Sequence, residues 1–381
     1  MTRAPEHRVW AEIYLDRIAH NLGQIRNQIP DETQIMPVVK ADAYGHGAVQ
    51  VAQVCREEDA SMFALANTEE ARQLRAAGFE EPLLVLGEVV PAEIPDLVHH
   101  RVRPSLQSFD VAKQLDNEAR EQQEPHPVHM AVDTGMSRLG VPAEDAHYFA
   151  RMIRDFRWLE LEGISTHLSS AYDPDGDSYT EGQLETFREV IEEVRSAGIQ
   201  PDLVHVANSG AVFSVPDTHF DLIRPGITMY GMSPGTLSEQ DLGLQPALEL
   251  RTKLVHVKEV PAGRPIGYGR SYRVSEDTPV GVLSVGYHDG YRYQLSNNAD
   301  VLIQGRRCPV IGRVTMDYVM VDLRDVPDVE TGEVVTLVGQ DKSQRITFEE
   351  LAERADTICY EMTCSIGDRV PRIYRSSVEE Y

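Results

Sequence analysis

A (β/α)8 barrel followed by a mainly β domain is the architecture predicted for this 381-residue chain, on three observations. Eight short apolar runs alternate with amphipathic stretches between about residues 35 and 231. Several runs are apolar at consecutive positions, as strands buried on both faces should be. After about residue 240 the pattern changes to β runs punctuated by Gly, Pro and Asp. The length also exceeds that of a usual single domain.

The first run, Val9–Leu15, precedes a helix starting at Asp16 and is a spare strand, free to join the C-terminal domain. The eight runs that follow are Ile35–Lys40, Met62–Ala66, Pro82–Gly87, Val102–Leu106, Pro127–Asp133, Leu159–Thr166, Leu203–Asn208 and Leu222–Tyr230. Helical patterns lie between them. Glu69–Ala77 follows Asn67 and Thr68, and Glu181–Ala197 carries Leu184, Phe187, Ile191 and Val194 at 3–4 spacing. Alternating strand and helix implies a parallel sheet, and eight units over some 200 residues favour a closed barrel. The segment Ser169–Tyr179 reads as a polar loop after the sixth strand. Beyond it, Leu248–Val260, Pro279–Tyr287, Ala299–Val310, Val319–Leu323 and Glu333–Gly339 read as strands. Only Phe348–Arg354 looks helical there, with Thr347 as N-cap. The expected domains are a barrel over 15–239 and a mainly β domain from 1–14 plus 240–381.

Thirty-six basic residues against 61 acidic ones leave a net charge of −25, which excludes nucleic acid and anionic membranes as natural partners. The four cysteines are scattered and read as buried free thiols, with no cluster for a metal. Without a signal peptide or an 18-residue apolar span, the chain reads as soluble and cytoplasmic.

Only five basic residues are lysines, so 36 − 5 leaves 31 arginines. One lysine, Lys40, ends the first barrel run in Val38-Val39-Lys40-Ala41-Asp42-Ala43-Tyr44-Gly45-His46-Gly47. A desolvated lysine loses its proton and attacks carbonyls, which arginine does not do. A strand-end lysine can also simply snorkel to water. The other strand ends decide between the two, because barrel active sites lie at that face. Tyr44 follows the first run and Arg138 the fifth. His167 ends the sixth, Asn208 and Ser209 end the seventh, and Arg224, Gly226 and Ile227 lie in the eighth. Cations, hydroxyls and bare backbone N–H groups suit an anionic, carbonyl-bearing cofactor, and pyridoxal phosphate meets these demands.

With VVKADAYGHG, DTGMSRLG, HVANS, IRPGITMYG, IGYGRSY, SVGYHDGY, IGRVTMDYVMVD and CYEMTCSIGDRVPR in this order, the chain resembles the alanine racemases over nearly its whole length. These are fold-type III pyridoxal-phosphate enzymes. The resemblance implies that Lys40 carries the cofactor and acts as one base. Tyr268 of the partner subunit would be the other base, in a homodimer with shared active sites. Arg224 would donate to the pyridine nitrogen, and His167 would link it to the tyrosine. Tyr44, Asn208, Ser209, Gly226, Ile227 and Tyr360 would bind the cofactor, mostly at its phosphate. Arg138 would contact cofactor and substrate carboxylate, while Met316 and Tyr287 wall the pocket. The implied role is supply of D-alanine for peptidoglycan.

Two positions depart from the family pattern. Many members carry a carbamylated lysine where Ala131 stands, and alanine is common in place of His288. The rival readings are a broad-spectrum or serine racemase, a decarboxylase on a similar barrel, and a non-enzymatic pyridoxal-phosphate carrier.

Overall fold

The structure is a computed structural model that describes residues 6–172, 177–235 and 239–376. It divides into two compact units. One comprises residues 17–43 and 47–245; the other comprises 1–16, 44–46 and 246–381.

The larger unit is the barrel. Its strands are Gln34–Ile35, Phe63–Leu65, Leu83–Val85, Arg103–Leu106, His126–Asp133, Leu159–Ser165, Leu203–Asn208 and Leu222–Arg224. From Phe63–Leu65 on, each pairs in parallel with the next in chain order. The last pairs with the first, Ile223 opposite Ile35. A Val38–Ala64 bridge closes the ring, with hydrogen bonds of 2.9 Å from Val39 N–H to Ala64 O and from Ala64 N–H to Pro37 O. The predicted fold class therefore holds. The physical reason is visible in Phe63–Leu65 and Leu83–Val85, where all six residues are fully buried and only both-face burial accommodates such runs.

The helices form where caps and periodicity place them. Thr68–Ala76 starts at Asn67, whose side chain accepts from Glu70 N–H. Asp177–Ser196 buries Leu184, Phe187, Ile191 and Val194. It begins four residues earlier than its apolar face suggests, so Ser178 and Tyr179 belong to helix and not to loop. Residues 173–176 of that expected loop lie outside the described residues. The last barrel strand is also shorter than its apolar run. It stops at Arg224, and Pro225-Gly226 lead into a 3-10 turn at Ile227–Tyr230.

In the smaller unit, Val9–Tyr14 is indeed a spare strand. It pairs antiparallel with Leu248–Val260 and parallel with Arg372–Arg375. The 13-residue Leu248–Val260 strand also pairs with Thr278–Leu283 and Val334–Asp341. Val260, Ile266, Val274, Val280 and Ile311 fill the core beneath its C-terminal half. Thr347 caps Phe348–Arg354 through Glu350 N–H. A second helix, Cys359–Cys364, corrects the expectation of only one. Its six residues carry no side-chain cap, so no sequence signal announces it. Cys55, Cys308 and Cys359 are buried free thiols, but Cys364 is exposed, because it sits on the outer side of that short helix. Among the described residues, no helix is long and apolar enough to cross a membrane.

Candidate active site

Lys40 is half-buried and begins a helical turn, Lys40–Gly45, of the wrong hand. Ala41, Asp42, Ala43 and Tyr44 have φ of 53°, 51°, 52° and 55°. None is glycine, and each left-handed residue costs about 1–2 kcal/mol. Fixed partners hold the turn. Ala41 N–H donates to Glu70 Oε1 at 2.8 Å, and the other Glu70 oxygen accepts from Ala66 N–H. Asp42 Oδ1 accepts from Ala48 N–H at 2.8 Å, and Asp42 O from Gly47 N–H at 2.9 Å. Unusual backbone of this kind gathers at functional sites, where neighbouring structure over-determines it.

Arg224 is fully enclosed at the end of the eighth strand. Its guanidinium donates to Thr166 O at 2.7 Å, His205 O at 2.8 Å and Val206 O at 3.0 Å, and to His205 Nδ1 at 2.7 Å. Its contact with His167 Nδ1 is longer, 3.4 Å. Burial pulls the Arg224 pKa down to about 10, which still leaves it charged at neutral pH. His167 is driven to about 3 by burial first, then by the positive charges of Arg224, Arg138 and Lys40. Positive charge thus reaches this neutral imidazole from Arg224, Arg138 and Lys40, in a chain of net charge −25. That charge distribution fits an anionic ligand such as a phosphate or carboxylate.

Ser209 Oγ accepts from Gly226 N–H at 2.7 Å and lies 3.2 Å from Thr228 Oγ1. Ile227 is buried beside them. The Asn208 side chain caps Ser209–Ser214, accepting from Gly210 N–H and Ala211 N–H at 3.1 Å. Its amide nitrogen donates to Leu168 O, so that side chain is committed to the scaffold. In the smaller unit, Tyr44 and Tyr360 are neighbours with ring centroids 6.0 Å apart. Burial pushes the Tyr44 phenol well above its ordinary value, so it acts as a neutral hydroxyl.

Tyr268 is 74% exposed, on a turn made by Gly267 and Gly269 with φ of 62° and 68°. Tyr268, Tyr287, Tyr293, Arg313, Met316 and Tyr318 line one cleft of about 610 Å³. Tyr287 N–H donates to Thr315 O, and His288 N–H to Met316 O. Asp317 pairs with Arg369 at 2.8 Å, and Arg369 also grips the buried Asp289. His288 is exposed. Among the described residues, no His, Cys, Asp and Glu cluster could hold a metal ion.

Sequence reading does not reveal the residues that brace the Arg138 loop. Asp133 Oδ1 accepts from Gly135 N–H and Ser137 N–H at 3.0 Å. Tyr179 O–H donates to Gly135 O at 2.7 Å, and a Cβ at position 135 would lie 2.6 Å from that hydroxyl. Gln183, 2% exposed, donates to Thr134 Oγ1 and His167 O, and accepts from Ser169 N–H and Oγ. A polar residue amid the apolar face of its helix was the only available signal. Gln183→Leu is expected to raise the KM for the substrate about fivefold, the worth of one net hydrogen bond, with a smaller change in kcat. An unchanged KM in steady-state assays would count against the bracing role.

Family models match both parts of the chain. Residues 13–234 match the alanine racemase N-terminal domain, and 247–374 the alanine racemase C-terminal domain. An alanine racemase of Methanococcus maripaludis is 38% identical over 97% of this chain and 99% of that protein. An alanine racemase structure from Clostridium difficile 630 superposes with a TM-score of 0.93 at 32% identity, covering 98% of this chain and 97% of the other. One from Bartonella henselae, with covalently bound pyridoxal phosphate, superposes at 0.86 with 27% identity, covering 97% and 100%. By the match of both domain models and by identity along nearly its full length, the chain belongs to the alanine racemase family.

Proposed function

We propose that this protein interconverts L- and D-alanine with pyridoxal phosphate, as a homodimer whose active sites are shared, supplying D-alanine for peptidoglycan in the cytoplasm. The observation that carries the proposal is Arg224, buried at the end of the eighth barrel strand, held by three main-chain carbonyls and next to His167. A phosphate and a substrate carboxylate together supply the negative charge that this mouth lacks.

When bound, pyridoxal phosphate draws electrons from the substrate and so acidifies its Cα–H bond. Lys40 would hold the cofactor covalently and move the proton on one face. Tyr268 of the partner subunit moves it on the other. Inverting a stereocentre needs removal and delivery on opposite faces, which two bases do without turning the substrate over. The 74% exposure of Tyr268 in a single chain supports its use by a second copy, with residues 15–239 holding the cofactor and 1–14 plus 240–381 reaching the partner's site. Ser209, Gly226, Ile227, Tyr44 and Tyr360 bind the phosphate. Arg138 orients the carboxylate. Arg224, charged and fixed by three carbonyls, would donate to the ring nitrogen without surrendering its proton. His167 lies between Arg224 and the tyrosine.

Bulky Tyr287 and Met316 at the cleft favour a small substrate side chain over the range a broad-spectrum racemase accepts. A carrier protein has no use for the second domain. The test is racemisation of the common amino acids, read by chiral chromatography. Alanine should reach equal L and D amounts fastest. No inversion of alanine, or faster inversion of serine, would overturn the proposal.

A further inference from the structure

A continuous polar chain crosses the interior of the barrel beneath Arg224. Arg103, in the fourth strand, grips Glu162 with two bonds of 2.5 and 2.8 Å. Glu162, in the sixth strand, lies 3.0 Å from His129 Nε2. His129 Nδ1 lies 2.8 Å from His205 Nε2, and His205 Nδ1 lies 2.7 Å from an Arg224 nitrogen. Both histidines are fully buried.

Only one set of protons satisfies every link. A guanidinium only donates, so His205 Nδ1 must accept and its proton sits on Nε2. That proton is donated to His129 Nδ1, which forces the second proton onto His129 Nε2. The carboxylate of Glu162 receives it. Burial keeps both imidazoles neutral, as the scheme requires. Burial alone would raise the Glu162 carboxyl, but hydrogen bonds from His129 and Arg103 pull it down to about 2.

The barrel gives up apolar packing to house this chain. Gly163 pairs in register with His129, and a Cβ there would lie 2.4 Å from His129 Nδ1. A glycine inside a strand weakens it, and a partly buried ion pair adds little stability over an apolar pair of the same volume. Packing therefore does not account for the arrangement.

We propose that Glu162 is a positioning residue for Arg224, acting through His129 and His205. Its charge anchors the far end of the chain, fixes both imidazole tautomers and so presents an acceptor to Arg224 at all times. The guanidinium then keeps one orientation and its proton. The proposal rests on the reading of Arg224 as the group facing the cofactor's ring nitrogen.

The test uses holoenzyme with 15N-labelled histidine and the isosteric variant Glu162→Gln. In the unmodified protein, His129 and His205 should each show a single Nε2–H tautomer. In E162Q, their ring signals should move toward mixed tautomers. Turnover should fall on the order of tenfold, the worth of one hydrogen bond to a charged group, with KM nearly unchanged. Unchanged ring signals would overturn the proposal whatever the rate does. Shifted signals with unchanged turnover would also overturn it, provided that Arg224→Gln is slow. If Arg224→Gln is as fast as the unmodified protein, the reading of the site beneath it fails instead. Should E162Q not fold, the double variant Arg103→Met/Glu162→Gln removes both charges together and carries the same expectations.

Discussion

Lys40→Ala is expected to abolish covalent cofactor attachment and to lower racemisation on the order of 10⁴-fold or more, because one base is lost together with the anchor. The unusual composition makes this prediction sharp. With four other lysines in the chain, Lys113, Lys253, Lys258 and Lys342, borohydride trapping followed by peptide mapping should mark Lys40 alone. Trapping on any of the other four, or full activity in the variant, would refute the assignment.

Tyr268→Phe is the second large effect, and its signature is asymmetric in one measurement only. L- and D-alanine have equal free energies in water, so the equilibrium constant is one and kcat/KM must fall equally in both directions. The loss should be about 10²–10⁴-fold, the usual range for removing an acid–base group. The asymmetry appears in exchange with D2O. If Lys40 serves the D face, D-alanine should still exchange its α-hydrogen without inverting, while L-alanine exchanges far more slowly. NMR of the recovered enantiomers reads this directly. Equal loss of exchange from both enantiomers would dismiss the two-base scheme. Phenylalanine keeps the ring, and at 74% exposure the hydroxyl has little part in the fold, so stability should not confound the result.

Sequence sufficed for the barrel because its strands carry an unambiguous pattern. Phe63–Leu65 and Leu83–Val85 have no polar face, and helices with readable caps separate them. It failed for Cys359–Cys364, which has no capping side chain, and for the start of Asp177–Ser196, where polar residues precede the apolar face. At the site, strand-end residues such as Lys40, His167 and Arg224 were legible because the fold dictates which end matters. Residues one layer below were not. His129, Glu162 and His205 lie along strands from neighbouring and non-neighbouring units, and their connection exists only in three dimensions. Gln183 escaped notice for the same reason. The sequence carries one trace of them: histidines at 129 and 205 interrupt runs that otherwise read as apolar core.

The left-handed turn after Lys40 bears on how such a site is inherited. Four residues at about 1–2 kcal/mol each amount to a local opposition comparable with the net stability of a whole domain. The favourable terms come from elsewhere: Glu70 on the Thr68–Ala76 helix, Asp42 reaching forward to Ala48, and the strand pairing around Val38. The ten-residue motif is recognisable as text, yet it does not encode its own shape. Grafted into another loop, it would relax to the ordinary hand and aim its lysine elsewhere. The reactive amine is thus a property of the whole barrel, and it is passed on only with the barrel.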